Sequence, residues 1–415
     1  MEEEMRSIVD NQIWELCQLP PGHRAIGLKW VYKLKKDAQG AVVKHKARLV
    51  AKGYVQRQGI DYEEVFASVA RMDSVRLLIA LAAHHVWQVH HMDMKSTFLN
   101  SDLLEEVYVQ QPPGYVQTGE EGKVLRLRKA LYGLRQAPRA WNTKLDDSLI
   151  TLGFERCPSE HAVSRRGTGS SLLLVGEHDR ITLCQTAYAK RLLERAGLSD
   201  CNSLSTPIQP RLKLSKDGVG DAVDVTYYRS IIGEPLRYIA GKLEYGCAFK
   251  RGNGEPKLTG FRDADHAGDI VDRKSTTITF FFLGESPVSW QSQKQRVVAI
   301  SSCEAVYVAA TTAACQGIWL AWLLGEMLNV ETVPPKLFVD NKSAIFLSKN
   351  PVFHERRKHI DIRYHFIPEC VEEGKIDIDY VRTNDQLADT LMKGLGRLAF
   401  QEMRRRIGMT EVLRK

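Results

Sequence analysis

From Pro256 onward, the sequence alternates between strand-like and helix-like segments in an order that few folds can accommodate. Three strand-like runs precede a long apolar helix, which we predict from Glu304 to about Leu328. A strand, a helix, a second helical run, another strand and a last helix follow. Residue periods of two and of 3.6 distinguish the strands from the helices. The order is that of a mixed α/β domain, so we predict that residues 256–415 fold as a domain of their own.

The chain as a whole is longer than one ordinary core requires. Its 415 residues predict two or three domains. Lys and Arg number 58 against 50 Asp and Glu, and the net charge of +8 suits a polyanionic partner without requiring one. The acidic start is unlike a signal peptide, and no apolar run approaches the roughly 20 residues that span a bilayer. We therefore expect no membrane association and an intracellular location, cytoplasmic or nuclear.

A basic hairpin is predicted between Trp30 and Val55. Two alternating runs flank the turn signal Asp37-Ala-Gln-Gly40. The alternation places cationic side chains on exposed faces: Lys33, Lys35, Lys46, Arg48 and Lys52. Such residues could bind phosphates, or they could simply form a solvated ribbon whose charges protect its edges from pairing.

The next predicted elements are a helix over Ser74–Val86 and a strand that ends near Asp93. A single acid at a strand end is more often a turn former than a catalytic group. A further helix is predicted from Pro138, which suits a first helical turn. Residues 200–258 lack sustained periodicity and contain several Pro and Gly, which indicates a linker or a damaged subdomain.

Four acids in the last domain occur on four different predicted elements. Asp263 lies on the first strand, Glu304 starts the long helix, Asp340 ends the fourth strand and Asp389 lies in the last helix. Clustered carboxylates suit Mg²⁺, and two such ions about 4 Å apart could promote phosphodiester cleavage. The alternative is that each acid is a cap or turn residue. Spacing alone leaves three neighbours as substitutes, namely Asp265, Asp269 and Asp385.

The chain resembles copia-type retrotransposon Pol polyproteins, in their reverse transcriptase and ribonuclease H part, over nearly its whole length. The polymerase motifs include HHMDMKSTFLNSDL and LRKALYGLRQAPRAW, and the ribonuclease H motifs include GFRDADHAGDIVDRKSTT and FVDNKSAIFLSKN. The resemblance implies an α/β (α+β) chain in which a reverse transcriptase fingers/palm remnant precedes a ribonuclease H-like mixed-sheet domain. The implied domains are fingers and partial palm in 1–175, a truncated palm or connection in 176–255, and the ribonuclease H-like domain in 256–415.

By position, the resemblance implies site residues in both parts. Asp93 corresponds to the first catalytic aspartate of the polymerase palm, and Gln136 lies in the nucleotide-binding motif. Weaker candidates for phosphate contacts are Lys46, Arg48 and Lys52. The implied catalytic and metal-binding residues of the ribonuclease H site, with two Mg²⁺ ions, are Asp263, Glu304, Asp340 and Asp389.

The departures from the family pattern are as informative as the matches. The Tyr-Val-Asp-Asp hairpin that supplies the other palm carboxylates is absent, because Leu174-Val175 continues directly into GEHDRITLCQ. A second gap of several dozen residues falls where YYRSIIG meets EPLRYIAG. Arg262 precedes the first ribonuclease H acid, and Val306 stands where a second Glu commonly follows Glu304. Such deletions indicate a decayed element or a gene model that has removed coding sequence.

These features lead to three hypotheses for function. The first is a ribonuclease H that cuts RNA in RNA–DNA hybrids. It is joined to a polymerase remnant that no longer adds nucleotides but could still bind an RNA template. Binding of deoxynucleotides by this remnant is doubtful. The second is a non-enzymatic fragment that binds nucleic acid through its phosphates. The third is a relic without function, in which exposed sheet edges favour aggregation.

Overall fold

The computed structural model describes residues 1–36, 41–90, 92, 94–168, 172–176, 182–208, 235–269, 271–349 and 361–412. The chain divides into two compact units, each made of two stretches. Unit 1 consists of Met1–Val69 and Met92–Glu155, and unit 2 consists of Ala70–His91 and Arg156–Lys415. Both contain strands and helices, as the predicted α/β (α+β) class requires. The domain boundaries near 175 and 255 stay predictions.

Helices and strands are interspersed along the described residues. The helices are α1 Glu2–Asp10, α2 Met72–His85, α3 Ala137–Thr151, α4 Thr186–Arg195, α5 Ser302–Leu328, α6 Lys342–Lys349, α7 Asp361–Glu372 and α8 Arg397–Arg406. The strands are β1 Trp14–Cys17, β2 Leu28–Lys36, β3 Val42–Ala51, β4 Tyr108–Val109, β5 Val124–Leu127, β6 Glu155–Cys157, β7 Glu160–Arg166, β8 Leu173–Gly176, β9 Thr182–Cys184, β10 Tyr245–Ala248, β11 Leu258–Ala264, β12 Thr276–Leu283, β13 Ser286–Lys294, β14 Lys336–Val339, β15 Asp377–Tyr380 and β16 Met409–Glu411.

Unit 1 combines a small sheet of order β1-β5-β4 with the two-stranded ribbon β2–β3. Its core contains fully buried side chains from several elements, including Ile8 of α1, Leu49 of β3 and Leu131. Burying each such side chain stabilises the fold by about 1.5–3 kcal/mol. The predicted hairpin is confirmed as the ribbon, although its turn residues 37–40 lie outside the described residues.

The strand predicted to end near Asp93 is not found in the part of 86–96 that the structure describes. The described residues there are irregular, and a 3₁₀ helix, Thr97–Asn100, follows. A strand must pair its backbone groups with a neighbour. No strand pairs with the described part of this stretch. The prediction of α2 just before this stretch is confirmed.

Unit 2 is organised around a five-stranded sheet of order β13-β12-β11-β14-β15. The hairpin-connected strands β11, β12 and β13 are antiparallel, whereas β14 and β15 run parallel to β11. Parallel strands need a crossover, and α5 provides it between β13 and β14. Gly260 and Gly317 allow close packing here, because a Cβ on either residue would come within 3.0 Å of the Phe281 ring. This is the mixed sheet that the sequence predicts.

Helix α5 is long and apolar enough to cross a membrane by length and composition. The prediction that no apolar stretch has this length was therefore wrong. However, 67% of its most apolar window is buried inside unit 2, as in the core helix of a soluble protein. It is the one such helix among the residues that the structure describes.

The core around α5 also includes residues from before position 256. Leu77 and Leu81 of α2, with Cys157 and Val163 from the β6–β7 hairpin, belong to the same apolar cluster as Tyr307. Ser159 is tied to α5 by three hydrogen bonds: its N–H and Oγ donate to the Glu326 carboxylate at 2.9 and 2.6 Å, and its carbonyl accepts from Trp319 Nε1 at 3.0 Å. These segments are structural parts of unit 2.

The opposite sheet face is covered by the C-terminal elements. Phe280 and Phe282 of β12 pack with Leu387, Met403 and Ile407. The helix predicted over 384–393 is instead two 3₁₀ helices, Thr383–Asp385 and Leu387–Leu391, and α8 follows. The stretch is rich in Thr, Asn and Asp, whose side chains compete with helical backbone hydrogen bonds. The middle of the segment that we predicted to be a linker or damaged subdomain, 200–258, lies outside the described residues at 209–234, and its described part includes β10.

Candidate active site

Asp263 and Asp340 lie at the same edge of the five-stranded sheet. β11 and β14 are parallel neighbours. Asp263 is near the carboxyl end of β11, and Asp340 directly follows β14. The carboxyl ends of parallel strands meet at one edge, so the fold brings together two acids that are far apart in sequence.

Asp389 reaches this edge on the second 3₁₀ helix, which Gln386 holds in place. The Gln386 Nε2 donates to the carbonyl of Arg262 at 2.9 Å, and its Oε1 accepts from the N–H of Ala388 at 3.3 Å. The side chain of Gln386 is fully buried. The carboxyl of Asp389 lies close enough to that of Asp263 to raise its pKa. Sequence reasoning missed Gln386.

Burial dominates the electrostatics of this group. Asp263 is 5% exposed, and burial, the neighbouring carboxyl of Asp389 and the charge of Asp340 raise the pKa of its carboxyl to about 7. Burial and the charge of Asp389 also raise the pKa of Asp340. Both shifts have the sign expected when carboxylates are crowded together away from water. A cation at this position would relieve the repulsion.

Lys393 places a positive charge among these acids. It follows Asp389 by one helical turn, and its Nζ lies 2.7 Å from Asp389 Oδ1 and 3.6 Å from Asp263 Oδ2. Burial alone would lower the pKa of Lys393, but the ion pair with Asp389 and the charges of Asp263 and Asp340 raise it. The ammonium therefore stays charged and offsets part of the acidic charge. Sequence reasoning did not identify this residue.

Glu304, the fourth expected ligand, is fully buried and caps its own helix. Its Oε2 accepts from the N–H of Ile300 at 2.9 Å, and its N–H donates to Ser301 Oγ at 3.2 Å. This arrangement resembles a capping box, in which a Ser and a Glu three residues later satisfy the first helical N–H groups. Glu304 thus has the structural role that we considered as the alternative to metal binding.

Arg262 points to the other face of β11, beneath α5. It is 1% exposed, and its Nη1 donates to the carbonyl of Val306. Its Nε and Nη2 are buried without a hydrogen-bond partner. Burial lowers the pKa of Arg262 to about 10, although the charges of Asp263 and Asp340 act in the opposite direction. The two departures from the family pattern, Arg262 and Val306, are therefore in direct contact.

The three neighbouring acids have structural partners. Asp265 accepts from the N–H of Thr276 at 2.5 Å and closes the β11–β12 hairpin. Asp269 accepts from Lys294 and from two backbone N–H groups, and these bonds, the one from Lys294 above all, hold its pKa far below the usual range. Asp385 pairs with Arg406 at 3.3 Å. Each of these three acids thus has a hydrogen bond or an ion pair outside the group formed by Asp263, Asp340 and Asp389.

The polymerase candidates lie in unit 1 or outside the described residues. Asp93 is among the latter. Gln136 precedes α3 and is 1% exposed; its Nε2 donates to the carbonyl of Asp61 at 3.0 Å, and its Oε1 accepts from Gln56 Nε2 at 3.1 Å. In this conformation its amide therefore faces the interior. Lys46 and Lys52 are half-exposed, and the exposed Arg48 lies 4.9 Å from the centre of the Tyr132 ring.

The fit of this site to a metal ion is partial. Within the described ranges, no three His, Cys, Asp or Glu side chains are arranged to hold a metal ion. Asp263 and Asp389 nevertheless offer adjoining carboxylates, although Lys393 Nζ lies 2.7 Å from Asp389 Oδ1. Such oxygen donors match the preference of Mg²⁺. Asp263 and Asp389 are the two residues that could hold the ion, and Asp340 could supply a further oxygen ligand.

Known proteins resemble this chain along nearly all of it. A family model of reverse transcriptase (RNA-dependent DNA polymerase) matches residues 11–178. The retrovirus-related Pol polyprotein from transposon RE1 of Arabidopsis thaliana is 34% identical over 493 residues, covering 99% of this chain and 34% of that protein. The corresponding polyprotein from transposon TNT 1-94 of Nicotiana tabacum is 33% identical and covers 99% of this chain and 37% of that protein. The chain thus spans about a third of the length of these relatives.

The alignment with RE1 is 493 residues long, whereas this chain has 415 residues, so the relative has residues that this chain lacks. This agrees with the internal deletions inferred from the motifs. Among solved structures, the foamy viral protease-reverse transcriptase in complex with double-stranded DNA is 12% identical with a TM-score of 0.44, covering 91% of this chain and 68% of that chain. A likeness of this size carries no further argument.

Proposed function

The chain belongs to the Pol polyproteins of copia-type retrotransposons, and on this premise we propose that unit 2 is a metal-dependent ribonuclease H that cleaves the RNA strand of RNA–DNA hybrids. The observation that carries the proposal is the convergence of Asp263, Asp340 and Asp389 at one sheet edge. The fold brings together three of the four acids that we singled out from separate predicted elements.

Each acid has a distinct part in the proposed site. Asp263 and Asp389 would hold Mg²⁺ between them, and Asp340 would complete the oxygen ligands. Bound there, the ion would activate a water molecule and stabilise the leaving oxygen of the phosphodiester. Gln386 positions Asp389 against β11 through its bond to the Arg262 carbonyl. Lys393 would withdraw its ammonium from the two carboxylates, and Glu304 would join only by giving up its capping bond.

Polymerase activity is not part of the proposal. Phosphoryl transfer to a growing strand needs at least two carboxylates that hold metal together. The Tyr-Val-Asp-Asp hairpin that would supply them beside Asp93 is missing from the sequence. We therefore propose that unit 1 contributes at most to the binding of a hybrid or an RNA template.

A cleavage assay with the full chain tests the proposal. A hybrid labelled on its RNA strand should be cut in Mg²⁺, and Asp340→Asn should reduce the rate about a thousandfold or more. Asp377→Asn is the matched control, since Asp377 is an exposed residue of β15 in the same sheet. The enzymatic proposal fails if the folded wild-type chain cuts no hybrid even at high Mg²⁺.

Non-enzymatic binding of nucleic acid is the second candidate function. It is favoured by the ribbon β2–β3, where Lys33 lies opposite Lys46 and Lys35 opposite Lys44. Like charges in opposed positions destabilise a ribbon, but they suit the phosphates of a nucleic acid. Hybrid binding without cleavage, weakened by salt, would favour this candidate.

A further inference from the structure

The cations on β3 form a row on one side of the strand. Lys44, Lys46 and Arg48 alternate along β3, and strand geometry directs alternate side chains to the same face. Lys35 and Lys33 of β2 extend the same face, because they lie opposite Lys44 and Lys46. We call Lys44, Lys46 and Arg48 the cation row.

Helix α1 lies alongside this row with three glutamates in its first turn. Its apolar side is anchored in the core of unit 1, where Ile8 is fully buried and Met5 packs against the same cluster. The first turn of the helix contains Glu2, Glu3 and Glu4. The anchoring fixes where these acids stand relative to β3.

Two of the glutamates interact with the cation row. Glu3 Oε1 lies 2.8 Å from Lys44 Nζ, and the hydrogen bond and charge of Lys44, with a smaller contribution from Lys46, lower the pKa of Glu3. Burial raises the pKa of Glu4, and a backbone hydrogen bond from Leu49 and the charges of Arg48 and Lys46 oppose that effect. Glu3 thus pairs directly with Lys44, whereas Lys46 and Arg48 act on the two acids through their charges.

A simpler explanation accounts for only part of this arrangement. Acids in a first helical turn stabilise the helix through its dipole, whatever lies nearby. The dipole explains the sign of the charge at the start of α1. It does not explain why Glu3 is paired with Lys44 across 41 residues of sequence, or why Glu4 Oε1 is buried rather than exposed to solvent.

We propose that the first turn of α1 is an internal counter-anion that occupies the phosphate-binding positions of the cation row, so that a nucleic-acid strand binds β3 only by displacing Glu3 and Glu4. The inference rests on the proposed nucleic-acid function and adds its regulation. The partner is the phosphodiester backbone of a hybrid or an RNA. Because the acids must first be displaced, the intact chain binds nucleic acid more weakly than the ribbon would bind it without them.

The test measures binding of a fluorescently labelled RNA–DNA hybrid to the full chain in EDTA, where cleavage does not occur. Glu3→Gln frees one phosphate position, so affinity should rise up to about tenfold near 0.1 M salt, and the slope of log K against log salt should steepen by about one. Asp10→Asn is the matched control: it removes the same charge from the exposed far end of α1. It should change the affinity much less.

A double-mutant cycle makes the test specific to the pair. In the wild-type chain, Lys44→Gln should weaken hybrid binding little, because Lys44 is already paired with Glu3. In the Glu3→Gln background, the same substitution should weaken binding much more. Equal effects of Glu3→Gln and Asp10→Asn, together with an additive cycle, would overturn the proposal, as would a chain that binds no hybrid in any of these variants. Gated binding without cleavage in Mg²⁺ would refute the ribonuclease H proposal and leave this one standing.

Discussion

The Nζ of Lys393 lies 2.7 Å from Oδ1 of Asp389, one helical turn earlier in the chain, and 3.6 Å from Oδ2 of Asp263. One ammonium thus stands between the two carboxylates that the proposed function assigns to a divalent ion. A cation competing for the same oxygens must weaken metal binding. Its removal must also leave buried acids with less compensation.

Lys393→Met should therefore have opposite effects with and without metal. In EDTA, we expect the melting temperature of unit 2 to fall by roughly 2–4 °C, the shift that about 1 kcal/mol gives in a unit of this size. In Mg²⁺, the stabilisation by the ion should be larger than in the wild-type chain. Thermal unfolding with a Mg²⁺ titration measures both, and Lys375→Met is the control because Lys375 pairs with Glu373 elsewhere. Identical Mg²⁺ responses in all three proteins would contradict the competition.

Asp263→Asn should stabilise the metal-free chain, and more at high pH than at low pH. The folded state raises the pKa of Asp263 from 3.8 to about 7. Between these values the folded chain binds more protons than the unfolded chain, so the stability contributed by the protonated carboxyl is lost as the pH rises through this window. Asn resembles the protonated form, so we expect a gain of roughly 1–3 kcal/mol at pH 8 and almost none at pH 4. Denaturant unfolding in EDTA at both pH values measures it, and a gain that does not depend on pH would contradict the assignment.

Arg262→Met should also stabilise unit 2. It replaces a buried guanidinium, two of whose nitrogens lack partners, by an apolar side chain of comparable length. Replacing a poorly compensated buried charge in this way contributes about 1–3 kcal/mol. Arg262→Lys keeps the charge and is the control. If denaturant unfolding shows Arg262→Met to be less stable than the wild type, the packing of the arginine stem outweighs its unsatisfied nitrogens.

Leu77→Ala tests whether α2 belongs to the core around α5. Leu77 is fully buried in the apolar cluster that contains Tyr307. Truncating a buried leucine costs about 2–5 kcal/mol. Hydrogen exchange should therefore accelerate at the backbone amides of α5, more than 200 positions away in sequence. Unchanged exchange in α5 would support the prediction that residues 256–415 fold independently of what precedes them.

The full chain should add no nucleotide to a primer. The prediction depends on the missing aspartate pair and holds whatever the conformation around Asp93. Primer extension on RNA and DNA templates should equal the background set by Asp93→Ala. Any extension that Asp93→Ala abolishes would show that other carboxylates replace the missing pair.

The periodicity of the sequence predicted most of the sheet of unit 2, because β11–β15 and α5 have strong and distinct apolar patterns. The convergence of Asp263 and Asp340 was likewise foreseeable, since both end neighbouring strands. Lys393 and Gln386 were not, because their roles depend on a 3₁₀ segment whose path is set by its packing on β11 and β12. The absence of a strand from the described residues on either side of position 93 reflects the same dependence, since a strand forms only with partners that local sequence does not specify.

The capping role of Glu304 changes how copies of this element should be compared. Its carboxylate satisfies the start of α5, the helix that organises the core of unit 2. A copy under selection for nothing more than a soluble, folded product would still keep this residue. Persistence of Glu304 among degenerate copies would therefore say nothing about continued cleavage. Persistence of Asp340 would be the informative sign of an enzyme still in use, because α6 is capped by Asn341, whose Oδ1 accepts from the N–H of Ala344, and not by Asp340.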